Sequence, residues 1–360
     1  MQRITVLSPG YLSANSQSFL FPLLHNRNLL RDQQIQIRFV SEASPNILEC
    51  DKLLIDSKFY KEDWSRSPLS VIDDLAWFSE RIGEVLWFHT GDSAGTLGAH
   101  IKKILPYVKG VYKSQTYKDK SLYQRNLYGN RLYTDYYHRQ HGVVDSEPAD
   151  FDPVLTNEEL KKINVSWNIG YARCFDFRGT YVSAAYKRFP SLKMLLQVKP
   201  RIKKVTTERP LGVYARMGLN FPRETIGYQR RQFAALVGPQ ERVSRRIYYK
   251  EMKESKIVVS PFGWGEINTR DFESFIYGNL LIKPSMDHLD TFPNFFIPNE
   301  TFLPYRWDHS DMGEVLSEAE NQYEFFRSIA IEAQRRYVDE TVSLDGREKF
   351  VAHFRDLVCF

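Results

Sequence analysis

Short runs of β-branched and aromatic residues alternate with polar, helix-compatible stretches in the first part of the chain, and this alternation constrains the fold most strongly. Strands are predicted over residues 4–7, 35–40, 53–55 and 85–89. A helix is predicted over residues 71–82, between the last two of these strands. Strands separated by helical crossovers pair in parallel. The first half of the chain therefore predicts a parallel α/β sheet.

A second strand and helix series begins near residue 211. Strands are predicted over residues 211–215, 257–260 and 280–282, and helices over 225–236, 248–254 and 270–277. This repetition predicts an α/β fold with two Rossmann-like domains. The predicted boundary lies near residue 205, because the stretches 145–152 and 189–209 are rich in proline and charge and have no periodic pattern.

The pattern changes again at Asp311, where apolar residues recur at spacings of three and four through Tyr337. This spacing predicts one long amphipathic helix, followed by a shorter one near Phe350 and Phe354. The predicted division is 1–205 for the first domain, 206–312 for the second, and 313–360 for helices that pack back across both.

Composition excludes several classes of protein. No apolar run approaches the roughly 20 residues that cross a bilayer, and the first residues resemble a strand more than a signal peptide. The three cysteines, Cys50, Cys174 and Cys359, are odd in number and far apart, which favours a reducing compartment. We therefore predict a cytoplasmic protein. A net charge of +5 is too small to indicate a nucleic-acid-binding protein by itself.

The most informative segment is residues 257–284, which predicts a strand, a glycine-containing loop, a helix, a glycine turn and a strand. Gly263 and Gly265 would let the backbone approach a ligand closely, and the helix start would offer N–H groups to a phosphate. Glu266, Arg270 and Glu273 are spaced by four and three residues, so a helix would place them on one face. Such a face could hold a carboxylate for chemistry, a cation for phosphate and a carboxylate for ribose hydroxyls.

This segment resembles the donor-binding half of nucleotide-sugar glycosyltransferases of the GT-B fold, whose retaining members often carry two glutamates separated by seven residues. Here Glu273, followed by Gly278 and an apolar strand, fits the second glutamate, although only six residues separate it from Glu266. The resemblance implies that Glu273 binds the ribose of the donor and that Glu266 lies near the donor sugar. The alternative is an exposed helical turn with local ion pairs.

More closely, the chain resembles a group of bacterial glycosyltransferase-like proteins associated with surface polysaccharides. The motifs that carry this resemblance are SPFGWGE (260–266), RDFE (270–273), GNLLIKP (278–284), TFLPYRWDHSD (301–311), FHTGDS (88–93) and VSWNIG (165–170). It implies a GT-B-like arrangement in which the first domain binds the acceptor and the second binds the nucleotide sugar.

Cations at strand ends are candidates for the donor phosphates, because a reaction without a metal needs them to stabilise the leaving group. Arg216 is the first candidate and Arg230 the second, with Lys283 a further one; each has a solvated or sheet-capping role as its alternative. No Asp-x-Asp signature lies in a strand-end context. We therefore predict a metal-independent reaction with no cofactor apart from the nucleotide-sugar substrate.

The first domain offers candidates for the acceptor side at the end of the strand over residues 85–89. Asp92 could act as general base or bind the acceptor, and His89 is the alternative base. The competing interpretation is that the Asp92 side chain only bonds the backbone of its own turn.

Residues 102–139 interleave lysine and arginine with eight tyrosines. This composition would suit an acidic saccharide, an anionic membrane surface or single-stranded nucleic acid, and Lys113 is its candidate cleft residue. Tyrosines that are partly buried among solvated lysines are the alternative.

Together these features predict a glycosyltransferase of surface polysaccharide or lipopolysaccharide biosynthesis, with the Glu266 and Glu273 pair suggesting retention of configuration. Its partners would be a nucleotide sugar and a glycan or lipid-linked saccharide acceptor, with peripheral contact at the inner membrane face and no nucleic acid. The alternatives are a CMP-activated acidic-sugar (Kdo-like) transferase and a noncatalytic carbohydrate- or RNA-binding protein.

Overall fold

The computed structural model describes residues 1–10, 14–172, 175–188, 199–238 and 241–358. Cys174, Cys359 and residues 189–198 of the predicted connection lie outside this part of the chain. Cys50 is buried and forms no disulfide.

A six-stranded parallel sheet forms the first part of the molecule. Its strands are β1 (Gln2–Leu7), β2 (Ile35–Val40), β3 (Lys52–Asp56), β4 (Glu84–His89) and β5 (Gly110–Lys113), and, after the short β6 (Thr116–Tyr117), β7 (Ile163–Val165). The strand order is β2-β1-β3-β4-β5-β7. Every residue of β3 is buried, as expected for a central parallel strand covered on both faces.

A four-stranded parallel sheet forms the second part. Its strands are β8 (Leu211–Tyr214), β9 (Ser255–Val259) and β10 (Leu280–Pro284), and, after the short β11 (Leu289–Asp290), β12 (Leu303–Tyr305). The strand order is β12-β10-β9-β8. The short strands β6 and β11 pair antiparallel with each other and so join the two parts. The predicted α/β class with two Rossmann-like sheets is confirmed.

The helices cover the faces of both sheets. They are α1 (Ala14–His25), α2 (Arg27–Asp32), α3 (Asp63–Arg66), α4 (Pro68–Arg81), α5 (Ile101–Ile104), α6 (Leu132–His141), α7 (Asn157–Leu160), α8 (Phe177–Arg188), α9 (Glu224–Val237), α10 (Arg245–Glu254), α11 (Thr269–Tyr277), α12 (Met312–Asn321), α13 (Tyr323–Thr341) and α14 (Leu344–Val358). Within the described ranges, no helix is both long enough and apolar enough to cross a membrane.

The C-terminal helix predicted from Asp311 is divided. Gln322 has φ −118° and ψ 32°, which is outside the helical region and separates α12 from α13. Apolar residues of both helices pack on the second sheet. Phe350 and Phe354 of α14 pack instead with Trp167 beside the first sheet. The end of the chain therefore crosses from the second sheet to the first.

Candidate functional site

Helix α11 is fixed at both ends by local interactions. Asn268 and Asp271 form a capping box, in which the Asp271 carboxylate accepts from the Asn268 N–H at 2.8 Å. The helix ends at Gly278, which has φ +65°. A Cβ at Gly278 would lie 2.8 Å from the Val205 side chain, so glycine is required here. These contacts fix the direction in which the side chains of α11 point.

A cleft of about 760 Å³ opens where α10 and α11 meet the carboxyl end of β8. Its volume lies in the range of small-molecule sites. The predicted donor residues Arg216, Arg270 and Glu273 all line it. The sequence analysis did not identify the other lining residues, which are Met217, Gly218, Glu241, Arg242, Val243, Arg245, Tyr248, Tyr249 and Thr269. One signal in the sequence could have identified Tyr248 and Tyr249. They begin the helix predicted over residues 248–254, which directly precedes the strand and glycine-containing loop of the donor segment.

Glu273 is the buried acidic residue among those that line the cleft, with 6% of its surface exposed. Its oxygens accept from the hydroxyls of Tyr248 at 2.5 Å and Tyr249 at 3.1 Å. Burial raises the pKa of Glu273, although the tyrosine hydroxyls and Arg270 oppose this effect. A carboxylate has about four lone-pair positions, so Glu273 can also accept from ribose hydroxyls.

Arg270 lines the cleft, whereas the predicted donor residue Arg230 is a neighbouring cation that does not line it. Arg270 donates to the backbone oxygens of Arg216 and Val259, and its buried Nε has no partner. Arg230 donates to the backbone oxygen of Phe262 at 2.9 Å. Burial and the charge of Arg270 lower the pKa of Arg230 to about 10, so it remains protonated at neutral pH. Among the described residues, neither guanidinium forms an ion pair with a carboxylate.

Arg216 differs from these two arginines because its charge is already paired. Its Nε and Nη2 contact both oxygens of Glu251, at 2.5 and 2.9 Å. The geometry leaves Arg216 in the cleft wall with little net charge to offer to a phosphate. Arg270 is therefore a stronger candidate than Arg216 for stabilising the negative charge of the leaving group.

Lys283 does not line the cleft. It is completely buried, and its ammonium contacts Asp271 at 3.1 Å. Burial lowers the pKa of Lys283. The Asp271 carboxylate also caps α11, so Lys283 supports the helix that carries Arg270 and Glu273.

The glycine loop brings the two sheets together. A Cβ at Gly265 would lie 1.8 Å from the backbone oxygen of Asp92, and one at Gly263 would lie 2.8 Å from Nη2 of Arg230. The sequence analysis expected a ligand to approach the backbone at Gly265. Instead, the backbone of Asp92, in the first part of the chain, occupies this position. Gly263 makes room for the Arg230 cation.

Glu266 follows Gly265 and is completely buried. Its carboxylate accepts from Ser93 Oγ at 3.2 Å, the N–H of Ala94 at 3.1 Å and Gln115 Nε2 at 3.1 Å. Burial alone would raise the pKa of Glu266, but His288 and the Ala94 N–H outweigh it, and the pKa lies below its usual value. Glu266 thus joins the second part of the chain to the loops of the first, and it does not line the cleft of Glu273 and Arg270.

Asp92 and His89 follow β4, as predicted. Asp92 is exposed, and its carboxylate accepts from Asn15 Nδ2 at 2.5 Å. His89 is half-buried, with Nδ1 at 3.2 Å from Nζ of Lys113. Because an ammonium can only donate, protonated Lys113 requires Nδ1 to accept, which leaves the proton of neutral His89 on Nε2. Asp92 is exposed, whereas His89 is half-buried and bonded to Lys113, so we take Asp92 as the candidate proton acceptor.

Lys113 is buried, with 1% of its surface exposed, and has no place on an exposed surface. Five tyrosines of the segment 102–139 are also buried, namely Tyr112, Tyr117, Tyr123, Tyr133 and Tyr137. These tyrosines are more deeply buried than the alternative of partly buried tyrosines supposed, and Lys113 is not one of its solvated lysines.

The burial of Lys113 leads to a testable pH dependence. Burial lowers the pKa of Lys113 from its usual 10.5 to about 7. Above pH 7 the unfolded chain keeps this proton while the folded chain releases it, so the free energy of unfolding should rise with pH, by about 2 kcal/mol between pH 7 and pH 9. Urea titrations should show this rise in the wild type and in the exposed-site control Lys103→Met, and its loss in Lys113→Met. An equal rise in Lys113→Met would contradict the assignment.

Metal-ligating side chains do not cluster in the part of the chain that the structure describes: no group of three or more His, Cys, Asp or Glu residues there could hold an ion. Metal independence stays a prediction.

No protein-family model matches the chain, and no curated protein matches it. Three solved structures that are similar to the chain are glycosyltransferases or bind a sugar nucleotide. An α-glucosyltransferase solved with UDP and a 13-mer DNA is 9% identical, with a TM-score of 0.44 over 98% of this chain and 100% of that chain. HepE of Anabaena, solved with UDP-glucose, is 10% identical, with a TM-score of 0.43 over 99% of this chain and 100% of that chain. A glycosyltransferase of Rickettsia africae is 12% identical, with a TM-score of 0.44 over 99% of this chain and 98% of that chain. Similarity at this level does not assign a function, which has to follow from the geometry of the chain itself.

Proposed function

We propose that the protein is a glycosyltransferase that moves a sugar from a nucleotide-activated donor to an acceptor bound between the two sheets. The observation that carries this proposal is the cleft that Glu273, an acceptor for ribose hydroxyls, lines together with the cation Arg270. A carboxylate and a cation at the carboxyl end of a parallel sheet suit the two polar parts of a nucleotide.

The donor is proposed to be a nucleoside diphosphate sugar. Arg270 and Arg230 are two cations, and neither forms an ion pair with a carboxylate among the described residues, although the charge of Glu273 acts on Arg270. A diphosphate that extends from Arg270 in the cleft to the neighbouring Arg230 would match both, whereas a CMP-activated acidic sugar has a single phosphate for the two cations. The cleft rim adds the exposed Arg242 and Arg245.

In the proposed reaction, an acceptor hydroxyl oxygen attacks the anomeric carbon, and the bond from that carbon to the phosphate oxygen breaks. The departing nucleoside diphosphate takes the electron pair, and Arg270 and Arg230 stabilise its negative charge. The hydroxyl proton passes to the Asp92 carboxylate, which is exposed beside the glycine loop. Glu266 acts as a positioning residue because it is buried and bonded to the first part of the chain.

The acceptor is proposed to be a glycan or lipid-linked saccharide of surface polysaccharide biosynthesis, on the basis of the sequence resemblance. Retention of configuration stays a prediction from the sequence, and in this single displacement it requires the acceptor to attack from the face that the phosphate leaves. Its basis in the Glu266 and Glu273 pair is weakened, because only Glu273 faces the cleft.

Thermal unfolding with a panel of nucleotides tests the proposal. At about one hundred times its dissociation constant, a ligand of the folded state contributes roughly 2.7 kcal/mol. We expect one of UDP, GDP, ADP and TDP to raise the unfolding temperature, equally with magnesium and with EDTA, and CMP to have no effect. A shift with CMP alone would favour the acidic-sugar transferase. The absence of any shift, in a sample that unfolds cooperatively, would contradict nucleotide-sugar transfer.

A further inference from the structure

Trp264 is a large aromatic side chain that the fold leaves exposed. It lies between Gly263 and Gly265 in the loop that joins the two sheets, and 40% of its surface is accessible. Arg131 Nε donates to the Trp264 backbone oxygen at 2.9 Å, which fixes the loop from the side of the first sheet. The ring is therefore held in position without being packed in the core.

Two arginines and a phenylalanine surround this ring. The guanidinium carbons of Arg131 and Arg223 lie 5.7 and 5.9 Å from its centroid. The Phe221 ring lies 6.1 Å from it, edge to face, and Arg230 lies 4.8 Å from the Phe221 centroid. We call these five residues the Trp264 patch.

The patch is positively charged. In the described part of the chain, none of its three arginines forms an ion pair with a carboxylate. Arg131 is mostly buried, and its Nη1 donates to the Gly129 backbone oxygen at 2.8 Å, so it mainly holds the loop. Arg223 is half-buried. Since Arg230 is assigned to the donor phosphates and Arg131 holds the loop, Arg223 is the arginine of the patch that remains for another ligand.

The patch adjoins the proposed acceptor side of the reaction. The residue after Trp264 is Gly265, which packs so closely against the Asp92 backbone that a side chain there would overlap it. The loop that carries Trp264 is therefore in contact with Asp92, the proposed proton acceptor, at the residue next to Trp264.

We propose that the Trp264 patch is an acceptor subsite that stacks a sugar ring on Trp264 and binds a carboxylate or phosphate group of that saccharide through Arg223. An indole offers a broad apolar face to the C–H groups of a sugar, and a guanidinium matches an anionic oxygen pair. The inference rests on the proposed function and specifies its acceptor as an anionic saccharide.

Single-stranded nucleic acid is the competing ligand, because aromatic rings and cations also bind stacked bases. Such binding uses successive stacking platforms along a groove. The Trp264 patch presents one exposed ring, with Phe221 half-buried against it. One exposed ring, with Arg223 as the cation that the donor contacts do not use, fits a single charged sugar better than a run of bases.

Binding measurements with defined probes test the subsite. A hyaluronan tetrasaccharide supplies carboxylates, a chitin tetrasaccharide is its neutral counterpart, and oligothymidylate represents nucleic acid. We expect wild-type protein to bind the hyaluronan probe at millimolar concentration and more tightly than the chitin probe. Trp264→Ala should weaken this binding about tenfold, and Arg223→Gln should remove the preference for the charged probe.

Controls separate this inference from folding and from the donor site. Phe325→Ala removes another exposed aromatic and Arg66→Gln another exposed arginine, and neither should change binding. Trp264→Phe keeps a ring if the alanine variant does not fold. Nucleotide-induced stabilisation should be unchanged in Trp264→Ala, so loss of saccharide binding with nucleotide binding intact supports the subsite.

Three results would overturn the subsite. They are no binding of the hyaluronan probe, equal affinity for the charged and neutral probes, and tighter, Trp264-dependent binding of oligothymidylate. If no nucleotide binds but the hyaluronan probe still does so through Trp264, the proposed transferase function fails and the subsite for an anionic saccharide remains.

Discussion

Arg270→Ala should lower kcat/KM for sugar transfer by about 10²–10³-fold, which is the usual effect of removing a group that stabilises charge in a transition state. Arg270 lines the cleft and forms no ion pair with a carboxylate in the described part of the chain, so its charge is available to a departing diphosphate. The effect should fall mainly on kcat, because the leaving group gains charge as the bond breaks. Initial rates measured with the donor whose nucleotide stabilises the protein would give both constants.

Comparison with Arg216→Ala makes this prediction specific. Arg216 also lines the cleft, but Glu251 already binds its guanidinium through two contacts. We expect Arg216→Ala to lower kcat/KM by about tenfold at most, and the exposed Arg66→Ala to leave it unchanged. A larger loss in Arg216→Ala than in Arg270→Ala would reverse the assignment of the leaving-group cation.

The sheets could be predicted because their central strands are continuous apolar runs. Strands such as β3 and β9 are buried along nearly their whole length, so the sequence shows them directly. The sequence analysis missed β5 and β7, which have only four and three residues. Lysine at the end of β5 also resembles a surface position, and only the tertiary structure shows that Lys113 is buried.

The sequence predicted the candidate site only where the spacing of residues along one helix determines which side chains lie together. Arg270 and Glu273 share one helix and line one cleft, as their spacing indicates. Glu266 precedes the first residue of that helix, Thr269, and points to a different environment. The pairing of Arg216 with Glu251 and the close packing of Gly265 on Asp92 join residues that are far apart in sequence. Contacts between such distant residues cannot be predicted from a local sequence pattern.

Glu266→Ala should lower the free energy of unfolding by about 3–5 kcal/mol, the loss typical of removing one side of a buried charged network. The change leaves the Ser93 hydroxyl, the Ala94 N–H and the Gln115 amide without their acceptor in a buried position. Glu266→Gln should lose less, about 1–3 kcal/mol, because one amide oxygen can still accept. The exposed Glu158→Ala should stay within about 0.5 kcal/mol of the wild type. Urea titrations of the four proteins measure these differences, as one free energy where unfolding is two-state and as the sum over both steps where two transitions separate.

The same residue should couple the unfolding of the two sheets. Glu266 belongs to the second part of the chain, whereas all three groups that donate to it at hydrogen-bond distance belong to the first. Calorimetry should therefore show one transition for the wild type and for Glu158→Ala, and two separated transitions for Glu266→Ala. A single transition at the wild-type temperature in Glu266→Ala would show that the carboxylate does not hold the parts together, and its role would then have to be sought in the reaction itself. Two transitions, with the nucleotide still stabilising one of them, would mean that the cleft of Arg270 and Glu273 binds the donor independently and that Glu266 serves to bring the acceptor side to it.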